Sequence, residues 1–125
     1  MYQLEINNLV NLDVKSKKFT YEYATDGSKQ NPLEATYGAL TGCAGVYALK
    51  ACKKLQVSPL GMKISCAPMI DKNNPVMLTK WTTNVQFPDG FTSVQKAAVL
   101  ESIQHCAVKD MIAQGSSIEF VTVEV

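Results

Sequence analysis

Four cysteines (Cys43, Cys52, Cys66 and Cys106) and one histidine (His105) carry the readiest chemistry in this 125-residue sequence. A thiolate can attack electrophilic oxygen or sulfur, and two thiols can close a disulfide. No two of the cysteines form a C-x-x-C pair, and His105 has no second ligand at metal-binding spacing. The pattern therefore predicts no metal centre. A hydrolase built on His105 and Cys106 also fails, because adjacent residues on a helix do not face each other. All twelve basic residues are lysines. With no arginine there is no planar guanidinium fork for a carboxylate, a phosphate or a thiolate.

Taken alone, each cysteine has a plain reading as a small buried residue. Cys43 and Cys52 fall nine residues apart on one helical segment, on opposite faces. Cys66 sits in a strand pattern. Cys106 lies near the start of a short helix, where the N-terminus lowers a thiol pKa and favours reactivity.

The elements that must position these thiols can be read from periodicity and caps. Tyr2, Leu4 and Ile6 alternate with polar residues, as do Phe19, Tyr21 and Tyr23, which predicts two or three antiparallel strands. Asn31 is a good N-cap, Pro32 suits the first helical position, and Glu34 stands three residues after the cap. The helix they open, Leu33 to Lys54, is apolar nearly all round, which predicts a central buried helix. Lys50, Lys53 and Lys54 complement its C-terminus. Two strand-like stretches follow: Val57 to Met69, broken by Pro59 and Gly61 before it alternates through Met62, Ile64 and Cys66, and Val76 to Phe87. The second places Met77, Thr79, Trp81, Thr83, Val85 and Phe87 on one face. Thr92 with Gln95 forms a capping box for a helix to about Gln104. Cys106 to Gln114 reads as a short helix closed by Gly115, and Ile118 to Val125 as a last strand. The order predicts one α+β domain over 1–125.

Charge and composition narrow the function classes. Twelve basic and eleven acidic residues leave a net charge of +1. No basic run points to nucleic acid or a membrane surface. The N-terminus has neither the basic nor the apolar region of a signal peptide. The longest uncharged run, Ala35 to Leu49, has 15 residues, short of the roughly 20 that span a bilayer. A cytoplasmic protein with reduced thiols is expected.

Asn31-Pro32-Leu33-Glu34 followed by Ala39-Leu40-Thr41-Gly42-Cys43 resembles the N-P-x-E…A-x-x-G-C signature of the OsmC/Ohr family, the osmotically inducible and organic hydroperoxide resistance proteins. His105-Cys106-Ala107-Val108 resembles the family's second-cysteine segment, with Ala107 where proline is usual. The resemblance covers nearly the whole chain. It implies an antiparallel sheet wrapped around a long central helix in an intertwined homodimer. It also implies reduction of small hydroperoxides, Cys43 being the peroxidatic and Cys106 the resolving cysteine. No metal or organic cofactor is implied, only an external dithiol reductant.

The sequence departs from the peroxidase pattern at two places. The family's activating arginine, carried on the N-terminal strands, is missing. The glutamate that should follow the proline is replaced by Leu33. Glu34 is no substitute, because nine helical residues set it on the opposite side from Cys43. These departures resemble the YhfA-like branch more than Ohr proper. Lys15, Lys17 or Lys18 is the expected substitute cation. The alternative is a non-catalytic stress module that binds a small apolar ligand and retains vestigial cysteines.

Overall fold

The computed structural model describes residues 1–123. Its N-terminal part is a three-stranded antiparallel sheet of β1 (Gln3–Leu4), β2 (Asn11–Lys15) and β3 (Thr20–Ala24), in that spatial order. Pairing runs from Asn11 opposite Ala24 to Lys15 opposite Thr20, with Gln3 opposite Lys15. The turns are built from short polar side chains. Asn8 Oδ1 accepts from the Val10 and Asn11 amides at 2.8 and 2.6 Å, and Ser16 Oγ accepts from the Phe19 amide at 3.0 Å. This is the local bonding that favours Asn and Ser in turns.

Helix α1 (Pro32–Leu55) starts at the expected cap. Asn31 Oδ1 accepts from the Glu34 amide at 2.9 Å, and Asn31 Nδ2 donates to Glu34 Oε1 at 3.1 Å. Asn31, Pro32 and Glu34 are thus helix-starting residues. The helix ends at Gln56, whose backbone is left-handed with φ 58°. This conformation is normally left to glycine.

Strands β4 (Lys63–Ile70) and β5 (Leu78–Gln86) form a separate antiparallel pair. Residues 57–62 precede β4 as a turn, at the break that Pro59 and Gly61 predict. The register slips between Met69, opposite Lys80, and Ile70, opposite Leu78. Thr79 is the extra residue of this bulge, and its hydroxyl donates to the Met69 carbonyl at 2.9 Å. A bulge reverses the alternation beyond it. Trp81, Thr83, Val85 and Phe87 do share a half-buried face, but Thr79 and Met77 are exposed.

Helix α2 (Ser93–Gln104) begins with the complete Thr92–Gln95 capping box. Helix α3 (Ala107–Gln114) is capped by Cys106 and ends at Gly115, whose φ of 69° suits glycine. The predicted last strand is absent over 118–123, because no strand among the described residues pairs with it; residues 124 and 125 lie outside the described residues.

The core joins Ala44, Ala48, Ala51 and Cys52 of α1 to Val99 and Ile103 of α2, with Ile64, Val85 and Phe87 of the hairpin packed against it. Small residues on α1 bring α2 close enough for the Ser102 hydroxyl to donate to the Tyr47 carbonyl at 2.9 Å. Only one side of α1 is covered. Gly38, Gly42, Val46 and Leu49 are exposed, so the helix is apolar all round yet not buried all round. The N-terminal sheet makes no extensive contact with α1. Among the described residues, no helix is long and apolar enough to cross a membrane.

Candidate functional site

Cys43 lies in the fourth turn of α1, half-buried, on the side that faces α3. Cys106 is 2% exposed and occupies the N-cap of α3. The fold joins these positions, 63 residues apart in sequence, so that the Cys43 thiol acts directly on that of Cys106. Both are free thiols.

Their surroundings differ. Burial pushes the Cys106 thiol above its ordinary value, and the contact with Cys43 pushes it further in the same direction. The Lys109 amide, 3.5 Å from Sγ, and the Val108 amide act the opposite way. Desolvation outweighs the helix N-terminus here, contrary to the expectation that the N-terminus would lower this pKa. Cys106 therefore keeps its proton and can offer S–H to the Cys43 sulfur. Cys43 is the more open of the two to an incoming molecule.

The other cysteines stay in packing roles. Cys52 is fully buried in the core, and burial raises its thiol pKa. Cys66 Sγ lies 3.6 Å from Thr83 Oγ1, which accepts from Trp81 Nε1 at 3.1 Å. Tyr37 stacks on Trp81 at 5.6 Å between ring centroids, with its hydroxyl buried and unpaired.

Lys15 ends β2, while Lys17 and Lys18 sit at the tip of the β2–β3 hairpin, beside Tyr2 and Phe19. Within one protomer this sheet stands apart from α1. Lys109 Nζ is engaged by Asp110. His105 caps the C-terminus of α2 and is exposed. Among the described residues no cluster could hold a metal ion. Sequence reading missed the Val108 and Lys109 amides as thiol partners; the only signal for them was the position of Cys106 just ahead of a helix.

No protein-family model matches the sequence, and no curated protein matches it. Solved structures do match. An OsmC-like protein from Mycoplasma pneumoniae superposes with a TM-score of 0.68 at 11% identity, covering 90% of this chain and 87% of its own. The fold is OsmC-like. A Psychrobacter arcticus protein, given a proposed role in the osmotic stress induced and detoxification response, is similar to the chain at TM-score 0.68 and 10% identity. That match covers 86% of this chain and 83% of the other. A hypothetical protein from Aquifex aeolicus reaches 0.70 at 17% identity, over 93% and 88%. This OsmC-like α+β arrangement sets the two motif cysteines side by side, an arrangement suited to thiol–disulfide chemistry.

Proposed function

We propose that the chain is a two-cysteine redox protein that reduces small organic hydroperoxides in the cytoplasm. The observation that carries this reading is the contact between the Cys43 and Cys106 thiols. The Cys43 thiolate attacks the outer peroxide oxygen and the O–O bond breaks. The alkoxide leaves as the alcohol with a proton, and Cys43 becomes a sulfenic acid. The Cys106 thiol then condenses with it, forming a disulfide and releasing water. An external dithiol reduces the disulfide and is itself oxidised. The protonated Cys106 supports negative charge on Cys43 in the first step and is the nucleophile in the second.

The active form on this reading is a homodimer. One protomer exposes 10017 Å², against about 6,600 Å² for a compact monomer of this mass. Exposed apolar residues on α1 (Val46, Leu49) and on the N-terminal sheet (Tyr2, Leu4, Phe19) supply the surface to be covered. Gly38, Gly42 and Gly45 share the exposed side of α1 with Leu49, which allows close approach of a second copy. Activity on this reading requires one of Lys15, Lys17 and Lys18 to reach Cys43 as a point charge in place of the missing arginine.

The test is a coupled assay with cumene hydroperoxide and dihydrolipoamide. Turnover that Cys43→Ser abolishes, with a Cys43–Cys106 disulfide seen by mass spectrometry, is the expected result. Absence of both turnover and disulfide rejects the enzyme and leaves a non-catalytic module.

A further inference from the structure

Helices α1 and α2 together line an open groove of about 490 Å³. Its floor is small and apolar: Ala51 and Leu55 from α1, Ala98 from α2. The size falls in the range of about 300–1,000 Å³ usual for small-molecule sites. The rim is charged. Lys50 and Lys54 stand one turn apart on α1, facing Glu101 and His105 on α2.

The charges and the orientation of the groove define what would fit. Neither lysine has an ion pair among the described residues, so both ammonium groups are available. Lys50 Nζ rests 4.7 Å from the centre of the Tyr47 ring, a cation–π contact that restrains the ammonium group of this groove-lining residue. Glu101 offsets part of this charge but lies on the other wall, so an anion is favoured on the α1 side. The groove also faces away from the Gly38–Gly42–Gly45 side of α1, by about half a helical turn. A second copy seated on that side would leave it open.

We propose that this groove binds an amphipathic organic carboxylate, its chain lying on Ala51, Leu55 and Ala98 and its carboxylate on Lys50 and Lys54. The site is separate from the cysteine pair and does not depend on peroxide turnover.

The test titrates octanoate into the reduced full-length protein and follows backbone amide shifts by NMR. The expected shifts cluster at Ala51, Ala98, Glu101 and His105. Octan-1-ol, the same chain without the charge, should bind about tenfold more weakly, as should K50E/K54E. Lys53→Glu, on another face of the same helix, should bind like wild type. If K50E/K54E loses its fold by circular dichroism, K50Q/K54Q replaces it with the same expectation. Absence of shifts at millimolar octanoate overturns the proposal. So do shifts that map elsewhere, equal binding of octanol, or unchanged binding by the lysine variants. Binding without peroxidase activity would reject the enzyme and keep the groove; activity without binding would do the reverse.

Discussion

The thiol that caps α3, Cys106, neighbours Cys43 in the middle of α1, and the neighbour helps to hold the Cys106 proton in place. A buried, protonated donor and a more open acceptor thus meet at a helix N-terminus.

Oxidation should therefore link these two cysteines within one chain, in preference to any pair with Cys52 or Cys66. Peptide mapping after one equivalent of peroxide should find that bond, and Cys106→Ser should abolish it while keeping a hydroxyl at the helix cap. The closed loop should raise the stability of the oxidised protein by up to about 4 kcal/mol over the reduced form. Urea unfolding of the two forms measures this.

Alkaline conditions should weaken the reduced protein through its buried thiols. Cys52 and Cys106 both have pKa values raised above 9.0 in the fold, with burial the leading cause. Below 9.0 both folded and unfolded chains hold these protons, and the contribution is fully present. As pH rises above 9.0 the unfolded chain loses them first, so stability falls until the folded pKa is passed. Cys52→Ala should show a shallower fall than wild type between pH 8 and pH 11 in urea melts, where roughly 9 is the onset. An equal slope in both proteins would contradict the burial argument.

The ends of α1 should respond in opposite directions. Asn31→Ala removes the side chain that accepts from the Glu34 amide and should cost about 1 kcal/mol. Gln56→Gly relieves a left-handed residue with a side chain, φ 58°, and should stabilise by about 1 kcal/mol. Neither change should alter the alkylation rate of Cys43, because both residues act on the helix and not on the thiols. Thermal melts and iodoacetamide kinetics give the two readouts.

The apolar side of α1 left open in one protomer should be covered in solution. Sedimentation should give twice the 13.7 kDa chain mass. Leu49→Glu, at a residue 57% exposed in the protomer, should shift the protein toward monomer with little change in the α1–α2 core. A wild-type monomer at micromolar concentration would reject the proposed assembly.

Residue order alone determined the caps and the helices. Asn31 with Pro32, and Thr92 with Gln95, start α1 and α2 where the sequence predicts, because capping is bonding between residues three apart. Strand positions were legible in outline. The bulge at Thr79, which turns Met77 outward, was not, since it depends on the pairing of β5 with β4. The strand expected at Ile118 failed for the same reason: a strand exists only where another backbone bonds to it. The apolar surround of α1 predicted burial, yet one chain has too little sheet and helix to cover every side. The same limit applies to the cysteines. Their types and the neighbouring motif singled out Cys43 and Cys106, but spacing over 63 residues cannot bring two sulfurs together. Only the packing of α3 against α1 made them neighbours. Only burial decided that Cys106 holds its proton against the pull of its helix, because desolvation is a property of the surrounding fold.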